Sequence, residues 1–180
     1  MIGVLVSGEG TNLQALIDEG LPIAGVISSK PGVPALDRAE NAGIATAVSD
    51  LDDYETREAR DGAMADWLQE RGVDLVVCAG FMWLLRDSFL ERFPNRVVNT
   101  HAAYLPEFPG ASPIADALAA GAQETGATVH LVDSGIDSGP ILAQERVPIE
   151  PGDTAETLWP RVKETEHRLL ARVVRELCER

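Results

Sequence analysis

The sequence predicts an α/β protein whose core is one doubly wound, mostly parallel sheet of about seven strands. Three observations predict it. Short apolar runs alternate with helix-like segments through the first half of the chain, which is the βαβ rhythm. The runs around Leu5 and around Val76 and Val77 are nearly continuous in apolar residues and bounded by glycine, as strands covered on both faces are. A chain of 180 residues with 45% apolar content is long enough for one well-buried core, and no repeat, low-complexity tract or linker marks a boundary. A single domain over residues 1–180 is therefore expected.

The elements follow in order. Ile2 to Ser7 forms the first strand, and Ser7-Gly-Glu-Gly-Thr-Asn12 leaves it directly and opens a helix. Strands are expected at Ile23 to Ser28 and Ala45 to Val48. The segment from Asp53 to Arg71 carries Met64, Trp67 and Leu68 at helical spacing, with Gly72 as its stop signal. Leu75 to Cys78 and Arg96 to Thr100 are the next strands, and a short helix runs from Pro113 to Ala120. Strands at Thr128 to Val132 and Ile141 to Val147 complete the sheet. The last helix begins near Thr154, where Leu158, Val162, Leu169, Leu170, Val173 and Leu177 trace one apolar stripe.

Composition narrows the functional classes. A formal charge of -14 opposes binding to nucleic acid or to an anionic membrane surface, since both reward clustered Lys and Arg. Cys78 and Cys178 give neither a metal spacing nor a disulfide framework, which fits a reducing compartment. The N-terminus enters its first strand without a cationic leader, and no stretch approaches the roughly 20 apolar residues of a membrane span. A cytoplasmic protein is expected.

Asn99-Thr-His-Ala-Ala-Tyr-Leu-Pro106 is the most informative stretch, because it sets chemistry at a strand end. Side chains two apart on a strand share a face, so Asn99 and His101 aim an amide and an imidazole at one point. Open α/β sheets place ligands at the C-terminal ends of their strands. Asp133-Ser-Gly-Ile-Asp137-Ser-Gly-Pro140 is a turn-forming stretch able to return the Asp137 carboxylate to the imidazole, although an Asp in such a loop commonly serves only as an Asx-turn former. Amide, imidazole and carboxylate together suit acyl transfer.

Three further features bear on the site. The Gly8 to Asn12 loop points free backbone N–H groups toward an anion at the positive end of a helix, phosphate being the natural guest; the bland reading is a tight turn capped by Thr11 or Asn12. It lacks the third glycine and the acidic partner of a dinucleotide fingerprint, which argues against a nicotinamide cofactor. His130 shares a sheet face with Thr128 and Val132, either as a hydrogen-bonded core residue or as a support for the site. Glu166 falls between Val162 and Leu170 on the buried stripe, so its carboxylate needs an internal Arg or His or a cationic group of the substrate. His167, one step round the helix, is expected at the surface. No His-x-x-x-His or carboxylate-rich spacing supports a metal, and no G-x-S-x-G elbow supports a serine hydrolase.

Taken together, Ser7-Gly-Glu-Gly-Thr-Asn12, Ala79-Gly-Phe-Met82, Asn99-Thr-His101, Leu105-Pro106, Pro109-Gly110, Thr125-Gly-Ala-Thr-Val-His130 and Asp137-Ser-Gly-Pro140 resemble the phosphoribosylglycinamide formyltransferase family, in order and over almost the whole chain. The resemblance implies a Rossmann-like formyltransferase fold and one catalytic domain. It implies transfer of a formyl group from 10-formyltetrahydrofolate, as co-substrate and without a metal, to glycinamide ribonucleotide in purine biosynthesis. By that likeness the catalytic trio is Asn99, His101 and Asp137. The substrate phosphate rests on Gly10, Thr11 and Asn12, Glu166 stands near the substrate amine, and the folate lies against Met82, Trp83, Leu84, Leu85 and Asn99 within reach of Arg57. Thr128 and His130 support the site. Small-molecule substrates and a monomer or homodimer are the partners implied.

Some positions depart from that family's pattern. Ala102 stands where proline is usual, and Glu107 and Trp83 stand where basic residues are common. Gly110-Ala-Ser-Pro113-Ile114 instead looks like the related methionyl-tRNA and sugar-nucleotide formyltransferases. A tRNA enzyme would be expected to carry a further C-terminal domain, and formyltetrahydrofolate hydrolase a regulatory domain ahead of the core. The alternatives are another 10-formyltetrahydrofolate-using enzyme, such as that hydrolase or a sugar-nucleotide or amine formyltransferase, and a non-catalytic phosphometabolite-binding module.

Overall fold

A computed structural model describes residues 1–179. Seven strands form one sheet in the order β3-β2-β1-β4-β5-β6-β7. They are β1 (Ile2–Val6), β2 (Ile23–Ser28), β3 (Thr46–Val48), β4 (Leu75–Cys78), β5 (Val97–His101), β6 (Glu124–Leu131) and β7 (Ile141–Pro148). The first five run parallel, while β6 is antiparallel to β5 and β7 to β6. Helices α1 (Thr11–Asp18), α2 (Pro34–Asn41), α3 (Arg57–Gln69), α4 (Asp87–Leu90), α5 (Pro113–Ala119) and α6 (Ala155–Cys178) cover the sheet. The expected mostly parallel seven-stranded sheet is what forms.

Period-two alternation sends each strand's side chains into two cores. Ile2, Val4 and Val6 of β1 pack with Leu13 and Leu16 of α1 and with Leu169, Leu170, Val173 and Val174 of α6. Leu5 faces the other way, into Met64, Ala65 and Leu68 of α3 and Phe89 of α4. The long α6 therefore crosses one face and α3 the other, leaving the C-terminal ends of β1, β4 and β5 open between them.

Two boundaries differ from expectation for local reasons. The predicted helix from Asp53 splits: Leu51–Asp53 forms a single 3₁₀ turn, and α3 starts only at Arg57, because the Thr56 hydroxyl accepts the Ala59 N–H at 3.1 Å and caps it there. Strand β6 begins at Glu124 rather than at Thr128, since Thr125, Gly126 and Ala127 pair with Val147, Arg146 and Glu145 of β7. Gly126 and Ala127 carry little β-propensity, which hides the strand's first half. No helix among the described residues is long and apolar enough to cross a membrane.

Candidate active site

The site assembles where β5 ends beside β4 and β6. Asn99 pairs with His130 across the β5–β6 ladder, and His101 pairs with Thr128. The loop after β6 carries Asp137 back over both, with Asp137 itself at a φ of 50° in the left-handed region. That carboxylate collects the site. Its Oδ2 lies 3.6 Å from His101 Nδ1 and accepts the Gly110 N–H at 2.9 Å, while its Oδ1 lies 3.6 Å from His130 Nε2 and 3.4 Å from Asn99 Nδ2. Burial pushes the Asp137 carboxyl up, but contact with His130, the Gly110 N–H and positive charge on either ring outweigh it. The net effect holds the group below its ordinary value of 3.8.

The two imidazoles are fixed by backbone carbonyls. His101 Nε2 donates to Phe108 O at 2.8 Å, and His130 Nδ1 donates to Leu131 O at 2.8 Å. With the ring neutral, His130 Nε2 accepts from the Asn99 amide nitrogen at 3.2 Å; with the ring charged, its N–H faces Asp137 Oδ1 at 3.6 Å. His130 is thus a buried, hydrogen-bonded residue in contact with the Asn99 amide. Thr128 supports at one remove: its hydroxyl donates to Ala103 O at 2.7 Å and accepts the Leu105 N–H at 3.1 Å, which shapes the loop leaving His101.

Glu166 is buried on α6, as the apolar stripe requires, but its partner is neither Arg nor His. Thr100 Oγ1 donates to Glu166 Oε1 at 3.0 Å. Desolvation raises the Glu166 carboxyl above its ordinary 4.5, against the opposing pull of Thr100, Asn12 and Lys163. A buried carboxyl whose hydrogen-bond partners, Thr100 and Asn12, are both neutral is one that a cation would satisfy. His167 is a correction: it is half-buried rather than superficial, with a buried Nε2 that no group accepts from or donates to. It points away from the site, into a groove between α1 and α6.

These groups open on a cleft of about 830 Å³. One wall is Met82, Trp83, Leu84 and Leu85 from the loop after β4, with Val132 and Ile136 opposite and Asn99, His101, Asp137 and Glu166 at the floor. Arg57 does not line the cleft; its guanidinium sits 4.9 Å from the Trp83 ring and backs that wall. The glycine loop also stands outside the cleft lining. It joins the site through Ser7, whose hydroxyl accepts the Met82 N–H at 3.0 Å, and through Asn12 beside Glu166. Neither Thr11 nor Asn12 caps α1: Gly10 is the N-cap, at a φ of 72°, and no side chain caps the helix. Asn12 Oδ1 is buried without a partner.

The chain matches the formyl transferase family model over residues 1–174. It is 45% identical over 182 residues to the phosphoribosylglycinamide formyltransferase of Mycobacterium tuberculosis, covering 97% of this chain and 83% of that protein. The chain belongs to the phosphoribosylglycinamide formyltransferase family. Glycinamide ribonucleotide transformylase 1 from Symbiobacterium toebii superposes with a TM-score of 0.96 at 44% identity, over 99% of this chain and 87% of that one. The chain is also 44% identical over 173 residues to the trifunctional purine biosynthetic protein adenosine-3 of Gallus gallus, where it spans only 17% of the relative's length. Members of this formyltransferase family thus occur both alone and within much longer proteins.

Sequence reasoning missed several contributors. The Phe108 carbonyl and the Gly110 N–H are backbone groups, which no side-chain motif announces. Ala155, Glu156 and Trp159 of α6 line the cleft beyond Glu166. Their position two and three turns before Glu166 on the same helix was the available signal.

Proposed function

We propose that this protein is a single-domain, cytoplasmic enzyme that transfers the formyl group of 10-formyltetrahydrofolate to the amine of glycinamide ribonucleotide. The observation that carries the reading is the convergence of Asn99, His101 and Asp137 with a buried, amine-seeking Glu166 on one apolar-walled cleft. The folate lies along Met82 to Leu85, and the phosphate rests on Gly10, Thr11 and Asn12 at the start of α1.

The amine nitrogen bonds to the formyl carbon and the carbonyl electrons move onto oxygen. Collapse breaks the bond to the folate nitrogen, which takes a proton, while the new amide nitrogen loses one. Asn99 Nδ2 carries two hydrogens. The one spent on Asp137 at 3.4 Å is at the long limit of a hydrogen bond, so it is the one released to the oxyanion. His101 Nδ1, 3.6 Å from Asp137, is close enough for its charge to be steadied and too far for its N–H to be fully committed. That N–H serves the oxyanion and then the leaving nitrogen. Glu166, held above 4.5 by burial, accepts the amine proton more readily than an exposed carboxylate does.

Incubation with 10-formyltetrahydrofolate, with and without glycinamide ribonucleotide, tests the reading. Acceptor-dependent release of tetrahydrofolate supports it. Release that ignores the acceptor identifies a hydrolase, and no release at all identifies a binding module.

A further inference from the structure

Arg60 is the largest fully buried side chain described, and nothing in the chemistry above uses it. It lies on α3 next to Asp61, which is also fully buried, and the two form an ion pair sealed from water. Asp61 Oδ1 accepts from Arg60 Nε at 3.0 Å and from Nη2 at 2.8 Å. Burying two charges gains little stability, because the desolvation cost rivals the attraction. A pair kept under those terms is better read from what it touches.

It touches the loop between β4 and α4. The second Asp61 oxygen accepts the Arg86 N–H at 2.8 Å, which pins the loop's far end. The Arg60 guanidinium lies 5.8 Å from the Phe81 ring and 5.4 Å from the Trp83 ring, with its Nη1 buried and without a hydrogen-bond partner. The near end is held by the Met82 N–H on Ser7 Oγ. The loop has no ladder or helix of its own between these points. Ser7 at one end and the buried pair at the other are therefore its polar anchors, while Phe81 and Leu85 tuck into the core between them.

We infer that Arg60 and Asp61 are positioning residues for the apolar wall at Phe81 to Leu85, and so set how tightly the formyl donor binds. They touch neither substrate. The inference rests on the assignment of that wall to the folate. Trp83 has Arg57 at 4.9 Å as well as Arg60 at 5.4 Å, so two cations fix the ring's position, one anchored in the core and one at the rim.

The test replaces the pair together by Arg60→Met with Asp61→Leu, because substituting a buried ion pair with apolar residues of similar size preserves folding better than removing one charge. Arg60→Lys is the second variant: it keeps the charge and loses the forked, planar guanidinium. For each, thermal unfolding, kcat, the KM for each substrate and folate binding by calorimetry are measured. The expected result is a KM for 10-formyltetrahydrofolate raised about tenfold, with folate binding weakened in step, while the acceptor KM and kcat stay within about twofold. Arg60→Lys shows the same split to a smaller degree, and carries the test alone if the double variant does not fold. A folded variant with unchanged donor KM and folate binding overturns the inference, as does a loss spread equally over both substrates. Wild-type protein that binds no folate would instead refute the assignment of the wall, so the two failures are distinguishable.

Discussion

His130 Nε2 stands 3.6 Å from Asp137 Oδ1, matching the 3.6 Å between His101 Nδ1 and the other oxygen of the same carboxylate. Asp137 thus serves two rings, and His130, with its ring neutral, also accepts from the amide of Asn99. Removing His130 should leave that amide with only its long contact to Asp137. An unmet buried polar group costs on the order of 1–3 kcal/mol, or about 10- to 100-fold in rate where the group is one the reaction needs. His130→Ala is expected to lower kcat by that factor. In a double-mutant cycle with Asp137→Asn the losses should combine to less than their sum. Full additivity would show that His130 acts elsewhere.

His101→Ala and Asn99→Ala test the groups at the reaction itself. General acid–base help is worth about 10²–10⁴ in rate and one oxyanion donor about 10²–10³. Each substitution should cut turnover accordingly while the far-ultraviolet dichroism stays that of the parent. Near-normal turnover in either variant would remove that residue from the chemistry.

Glu166→Gln separates stability from activity. Because burial raises the Glu166 carboxyl above 4.5, the folded protein favours the protonated form. The stability this group lends is therefore fully present below 4.5 and lost as pH rises through the raised value. Above that raised value the ionised carboxylate is a net burden, and glutamine, which can still accept from Thr100, relieves it. The variant should melt higher than the parent at pH above the raised value, with the gap closing as pH falls toward 4.5, and should turn over more slowly. A variant that melts lower than the parent across that whole range would show that Thr100, Asn12 and Lys163 together outweigh the cost of burying the carboxylate.

Much of this architecture is legible in the residues. Alternation in β1 and β4 fixes two buried faces, the apolar stripe of α6 places Glu166 inside, and two-residue spacing puts Asn99 and His101 on the same carboxylate. What stays hidden has physical causes. Phe108 O and Gly110 N are main-chain groups shared by every residue type, so their roles follow from loop conformation alone. The small residues at the start of β6 are placed by pairing with β7, a long-range effect that outweighs propensity. The Arg60–Asp61 pair reads in sequence as an ordinary solvated stretch of helix, because nothing local tells it that the loop after β4 will close over it.

Gly10 offers the sharpest test of the loop after β1. Its φ of 72° is a conformation that side-chain-bearing residues adopt at a cost of about 1–2 kcal/mol. A Cβ there would also lie 2.6 Å from Ala35 Cβ and 2.7 Å from Ala35 Cα, on the first turn of α2, where the backbone cannot simply swing aside. Gly8 meets nothing within 4 Å at the same construction, so the two glycines are not equivalent. Gly10→Ala should therefore lower the melting temperature and displace the start of α1, whereas Gly8→Ala should leave stability nearly unchanged. If Gly10 to Asn12 hold the acceptor's phosphate, Gly10→Ala also raises the acceptor KM more than the donor KM, since the strain falls first on the phosphate's own contacts. Steady-state kinetics with each substrate varied in turn decide it. A donor KM that rises as much as the acceptor KM would mean that this loop acts on the whole cleft, through Ser7 and Met82, rather than on a phosphate.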